Sequence, residues 1–314
     1  MVAASTLEND LNLLRKIGGT IFAVAPIIAF ADLHVVVIEG LGGEPKYAEQ
    51  FGEQIAAIER ASRSLTPPEN IKVFRSDDAS RDPILEYFEA LGNQIEANDQ
   101  LVVFLIGHGS YDDYEYKFNI PGPDLTGDDI ADMLDELPSA NQLLVNTSSA
   151  SGAIFEKLQD DKRTLILATR SGAERHATRF GTFFAAALSD PGADTDKNQI
   201  ITAQESFSFA ERQVSDFFER NGQLRTEHAR IEGLRADRFP LARLGAARTQ
   251  SSDRELESLF ADRDTLNAEI DQLRLSREDV PADDYDAELL QKMLELARIE
   301  DAIEVREQEL DRAD

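Results

Sequence analysis

Leu101-Val102-Val103-Phe104-Leu105-Ile106-Gly107-His108-Gly109 is a run of six apolar residues that opens into a glycine, a histidine and a second glycine. A short continuous apolar run closed by turn residues reads as a strand buried on both faces, the kind that parallel sheets use. Its exit sets His108 at the carboxyl end of a strand, where open α/β sheets place their ligand crevice. A second run, Leu143-Leu144-Val145-Asn146, leads into Thr147-Ser148-Ser149-Ala150-Ser151-Gly152, a turn built from small residues. A His-Gly after one strand and a hydroxyl-rich turn after another read as two halves of one site.

Outward from these strands, short apolar runs alternate with longer amphipathic ones from His34 onward, which predicts a parallel sheet covered by helices on both faces. Strands are expected over 34–38, 71–75, 101–106, 143–146 and 164–168. Helices are expected over 49–63, 83–96, 128–137, 155–159 and 180–188, with Thr126 and Asp129 as the N-terminal cap of the third. Gly40-Leu41-Gly42-Gly43-Glu44-Pro45 has the wrong spacing for a dinucleotide fingerprint, and its proline stands where a helix should open, so nucleotide binding is not expected.

At 314 residues with 42% hydrophobic content, the chain can hold one large domain with a real core and an extension. Its 32 basic and 60 acidic residues give a net charge of -28, a field that repels nucleic acid and anionic lipid. The chain has no cysteine, which excludes disulfides, zinc-thiolate sites and a thiol nucleophile. Arg15 and Lys16 precede an apolar stretch over 17–31 that closes with Ala29-Phe30-Ala31. Charged start, apolar middle and small residues at the end make 1–31 an expected export signal cleaved after Ala31. Fifteen residues fall short of the roughly 20 that a helix needs to span a bilayer. The mature protein is therefore expected to be periplasmic or secreted, without membrane contact.

The main domain is expected over 32–247, with a helical extension over 248–314. Residues 253–314 hold 21 acidic and 8 basic residues. Leu256, Leu259, Leu266, Ile270 and Leu273 keep a helical rhythm that Leu289, Met293, Leu296, Ile299, Ile303 and Leu310 nearly repeat, with Val280-Pro281-Ala282-Asp283 breaking the two. This predicts an antiparallel, coiled-coil-like hairpin with a solvated acidic exterior; the sharper alternative is an arm for a protein partner or self-association.

The stretch from Leu101 to Gly152 resembles the caspase and legumain peptidases, most of all the legumain-like branch. Phe104-Leu105-Ile106-Gly107-His108-Gly109-Ser110 stands for the histidine motif. Thr147-Ser148-Ser149-Ala150-Ser151-Gly152-Ala153 stands where that branch has Glu-Ala-Cys-Glu-Ser-Gly-Ser, so Ser149 occupies the cysteine position. The resemblance spans roughly 34–231, and a set of exported bacterial proteins whose same turn lacks cysteine is similar too. It implies a three-layer α/β/α sandwich with a mostly parallel sheet, a peptide or protein substrate, and no cofactor for catalysis. It implies His108 as general base or acid and the N–H groups of Gly109 and Ser149 as an oxyanion hole, in which one donor is worth about 2.7 to 4 kcal/mol. Arg170, Ser171 and Glu174 fall in the segment that lines the pocket for the residue before the cleaved bond.

A cysteine is partly thiolate at neutral pH, whereas a serine hydroxyl needs a well-aligned base. Asp112, Asp113 or Glu115 would have to orient His108 to rebuild a serine triad. Two functions stay open: altered or residual acyl hydrolysis through His108 and Ser149, and a pseudopeptidase that binds peptide without cutting it. A third is a structural protein stabilised by calcium. Asp194, Asp196, Asn198 and Glu205 match positions one, three, five and twelve of an EF-hand loop, with the backbone carbonyl of Ile200 at position seven. Gln199 replaces the sixth-position glycine, which predicts weak affinity.

Overall fold

The computed structural model describes residues 32–139, 141–233, 235–244, 254–275, 277 and 280–311. The expected export signal and its cleavage position lie outside them. In chain order the elements are β1 (Leu33–Glu39), α1 (Pro45–Ser62), β2 (Ile71–Phe74), α2 (Arg81–Gly92) and β3 (Gln100–Ile106). Three short strands follow, β4 (Gly109–Tyr111), β5 (Tyr116–Phe118) and β6 (Leu125–Thr126), then α3 (Gly127–Asp135), β7 (Asn141–Asn146), α4 (Phe155–Leu158) and β8 (Arg163–Leu167). The chain continues through α5 (Phe180–Ala187), β9 (Ile200–Thr202), α6 (Ala203–Arg220), β10 (Arg230–Glu232), β11 (Pro240–Arg243), α7 (Arg254–Leu275) and α8 (Ala282–Asp311).

Six strands form the central sheet in the order β10-β8-β7-β3-β1-β2, parallel throughout except for β10 on β8. The two-residue period of a strand sends alternate side chains to opposite faces. Val35, Val37, Val102, Phe104, Ile106 and Val145 meet Phe51, Ile55, Phe184 and Phe209 from α1, α5 and α6. Val36, Ile38, Leu101, Val103, Leu105 and Leu144 meet Ile84, Phe88, Ile130 and Met133 from α2 and α3. Each such side chain contributes about 1.5–3 kcal/mol on burial, which explains why these strands carry apolar residues at every position. The result is a three-layer α/β/α sandwich.

The five expected strands form β1, β2, β3, β7 and β8, with ends shifted by a residue or two. Pro45 departs from its expected role. It stands in the first turn of α1, where a missing N–H costs nothing because the helix has no acceptor for it there. Thr126 caps α3 as expected, its Oγ1 accepting from Asp129 N at 3.1 Å while the Asp129 carboxylate accepts from Thr126 N at 3.0 Å. Burial works against the Asp129 charge, but Arg81 and Thr126 outweigh it and hold the carboxyl below its ordinary range. The short strands β4, β5, β6, β9, β10 and β11 give too few residues for a readable period, and sequence reading missed them.

In the C-terminal segment, Leu256 and Phe260 of α7 pack on Ile303 of α8. The pairs Glu255–Arg306 and Glu269–Lys292 run in opposite order along the two helices, so the helices are antiparallel. Met293 does not join this seam; it faces solvent with Leu290 and Leu294. Among the described residues, no helix is long and apolar enough to cross a membrane.

Candidate active site

β3 and β7 are neighbours in register, Leu105 beside Asn146, and Thr147 N donates to Leu105 O at 3.1 Å. Their exit loops therefore leave the same edge of the sheet side by side. Gly109 is why they can touch: a Cβ there would come within 2.5 Å of Ser148 Oγ and 2.6 Å of Ser149 O. Gly152 does the same toward β8, since a Cβ would lie 2.3 Å from the backbone of Arg170 and Ser171. Three loops thus meet at one edge, carrying His108, Ser149 and the 170–174 segment.

Two adjacent serines in this turn have different fates. Ser148 is fully buried and closes a ring of hydrogen bonds: Asn146 Nδ2 donates to Tyr116 Oη at 2.9 Å, Ser148 Oγ donates to Asn146 Oδ1 at 2.8 Å, and Tyr116 and Ser148 share a 2.6 Å contact. Burial pushes the Tyr116 phenol up to about 12, so it stays a neutral member of that ring. Ser149 is only 5% exposed, yet among the described residues neither its hydroxyl nor its backbone N–H has a protein hydrogen-bond partner. Ala150 follows in the left-handed region at φ 56°, and its N–H is held by Glu174 O at 2.8 Å. A non-glycine residue in that conformation costs about 1–2 kcal/mol and persists where its surroundings fix it.

The His108 ring lies edge-on to two aromatic rings of α1, Tyr47 at 4.7 Å and Phe51 at 5.1 Å between centroids. None of the three acids considered as its orienter contacts it. Asp112 accepts from Tyr114 N and Glu115 N, which hold its carboxyl below the ordinary range; Asp113 pairs with Arg175 at 2.7 Å; Glu115 lies 4.0 Å from Lys117. The serine-triad arrangement is absent among the described residues.

Of the specificity candidates, Arg170 is exposed and Ser171 Oγ accepts only from Ala173 N at 3.4 Å. Glu174 is taken up internally: its carboxylate accepts from Arg170 N and His228 N, both at 3.0 Å, and pairs with His228 Nδ1 at 2.7 Å. It braces the loop instead of presenting a charge. Sequence reading missed Tyr47, Phe51 and Tyr116, because nothing local marks a residue whose partner lies dozens of positions away.

The calcium candidates lie away from this edge, between α5 and α6. Oxygens of Asp194, Asp196 and Glu205 lie within 4.8 Å of one another. Asp194 accepts from Asn198 N and Gln199 N, and Glu205 accepts from Thr195 N and Thr202 N. Ile200 N donates to Asn198 Oδ1 at 2.7 Å. Gln199 takes the left-handed φ of 68° that glycine would adopt at lower cost. Burial, then the charges of Glu205 and Asp194, raise the Asp196 carboxyl. A concavity of about 320 Å³ opens beside this loop, and one of about 580 Å³ lies between α2 and α3.

Residues 89–228 match the Peptidase C13 family, a stretch running from α2 through His108, Ser149 and Glu174 to His228. No curated protein matches the chain. Among solved structures, the Drosophila initiator caspase Dronc is similar, at 12% identity over 65% of this chain and 79% of that one, with a TM-score of 0.40. The family match falls on the stretch that carries both strand-end loops, and it supports a peptidase-like protein with a caspase/legumain-like fold.

Proposed function

We propose that this protein is an exported peptidase homologue that holds an extended peptide or protein segment at the carboxyl edge of β3, β7 and β8 without cutting it efficiently. The observation that carries this reading is the setting of His108: among the described residues, two aromatic edges and no carboxylate position its ring. A thiol would tolerate such a base, whereas the Ser149 hydroxyl would not. The Ser149 N–H, which lacks an acceptor among the described residues, suits a substrate carbonyl. The test is incubation with a peptide library: retention of peptides on the protein, with no new termini by mass spectrometry, is expected. New termini that vanish in Ser149→Ala would overturn it.

The unpartnered Ser149 hydroxyl favours a second reading, slow acyl hydrolysis. His108 would take the Ser149 proton as Oγ attacks the carbonyl, with the Gly109 and Ser149 N–H groups holding the oxyanion. Protonated His108 would return the proton to the leaving amine, and water would release the acyl group. Acylation of Ser149 by a fluorophosphonate probe, lost in His108→Ala, would establish this reading; an unlabelled protein would remove it.

Calcium is proposed for the second site, bound weakly by Asp194, Asp196, Asn198, Glu205 and the Ile200 carbonyl. The supporting observation is the convergence of three carboxylates on a loop whose sixth residue has the required left-handed backbone. Heat on calcium titration that disappears in Glu205→Gln is expected. No heat at millimolar calcium would reject the site.

A further inference from the structure

The helix α8 carries two apolar faces where a two-helix hairpin needs one. Tyr285 and Ile303 are buried on one face, with Leu289, Leu296 and Ile299 half-buried beside them. On the opposite face Leu290 is 60%, Met293 41%, Leu294 55% and Val305 57% exposed, and Ala297 is exposed among them. At 3.6 residues per turn these five fall within an arc of about 120°. The other large exposed hydrophobics of the described residues, Leu41, Tyr114 and Leu224, lie on separate loops. Scattered apolar residues are ordinary on a surface, but a contiguous stripe marks an interaction.

The charge around the stripe selects the partner. Residues 282–311 hold 11 acidic and 3 basic residues. Two of the three bases are engaged within the hairpin, Lys292 with Glu269 at 2.7 Å and Arg306 with Glu255 at 3.5 Å. Asp283, Asp286 and Asp301 are exposed in the same arc as the leucines. A second copy would set these carboxylates against their equivalents, and nucleic acid or anionic lipid would meet the same repulsion. Leu290, Met293, Leu294 and Ala297 stand at the i, i+3, i+4, i+7 spacing by which one helix reads another.

We propose that this face of α8 docks a basic amphipathic helix from a protein partner. Its leucine-type anchors lie on the 290–297 stripe and its lysines or arginines lie against Asp283, Asp286 and Asp301. The proposal is independent of chemistry at His108 and Ser149.

The test uses the full chain and a labelled synthetic helix of about 18 residues, long enough for five turns, with leucines on one face and lysines elsewhere. Anisotropy is read at about 0.15 M salt, where the Debye length is near 8 Å. Saturable binding is expected, weakened about tenfold or more, roughly 1.4 kcal/mol, by Leu290→Ser with Leu294→Ser, by scrambling the peptide, or by replacing its lysines with glutamates. Circular dichroism should show unchanged helix content in the double variant, whose altered side chains face solvent. Equal binding by the variant or the scrambled peptide would reduce the effect to diffuse charge and overturn the proposal. So would a dimer in sedimentation that the same two substitutions make monomeric, since the face would then belong to a second copy.

Discussion

The turn after β7 and the loop before β9 use the same local device toward different ends. Each holds a non-glycine residue in the left-handed region, Ala150 at φ 56° and Gln199 at φ 68°, amid polar side chains. In the loop, the Asp194 and Glu205 carboxylates accept from its own backbone, so a cation would meet only the lone pairs left over. In the turn, Ser148 is tied wholly inward while Ser149 beside it keeps its hydroxyl and N–H without partners among the described residues. Polar groups already satisfied by the fold support it, and a group the fold leaves over is the one available to a ligand.

The largest expected effect that would break this contrast is Gly152→Ala. Its Cβ would press on backbone atoms of Arg170 and Ser171, which cannot rotate away, so stability should fall by about 3 kcal/mol in urea unfolding. Next, Tyr116→Phe opens the Asn146–Tyr116–Ser148 ring and should cost about 1–2 kcal/mol, whereas Ser149→Ala should stay within about 0.5 kcal/mol of wild type. A comparable loss from Ser149→Ala would mean that the hydroxyl serves the fold after all. Third, Gln199→Gly should stabilise by about 1 kcal/mol through relief of the left-handed backbone, and calcium heat should grow with it. A lower melting temperature would show that the Gln199 side chain matters more than its φ.

The smallest expected effect concerns Glu227, a buried carboxylate that accepts from Arg179 N and Phe180 N at the start of α5. Burial raises its carboxyl, despite those N–H groups and the charges of Arg225 and Arg179. A carboxyl raised on folding contributes stability when protonated, and that contribution is lost as pH climbs from the ordinary carboxylate range through the raised value. Relative to Glu227→Gln, the wild type should therefore gain stability on acidification from about pH 7 to pH 4, the span above the ordinary Glu value. Parallel stability curves for the two proteins would contradict the assignment.

The central sheet was legible because parallel strands buried on both faces must be apolar at nearly every position, as in Leu101 to Ile106. Two loops on neighbouring strands could be anticipated from chain order, since β3 and β7 bracket only short elements and α3. The partners that define the site's chemistry were not legible. Tyr47 and Phe51 reach His108 from a helix some 60 residues earlier, and Tyr116 reaches Ser148 over 32 residues. Only packing creates those contacts. Pro45 was misread because proline both blocks helix interiors and favours helix starts, and its position, not its identity, decides between the two. Glu174 falls in the expected specificity segment but turns inward, because its donors, Arg170 N and His228 N, are set by how β8 and β10 pair.

The measurement closest to the central proposal, a peptidase-like site at the β3 and β7 loops that lacks only its thiol, is the reactivity of Ser149→Cys. Iodoacetamide should alkylate the introduced thiol faster than a cysteine in a free peptide at the same pH, peptide cleavage should appear, and both should be lost when His108→Ala is added. A thiol that reacts at the free-peptide rate, indifferent to His108, would contradict the account.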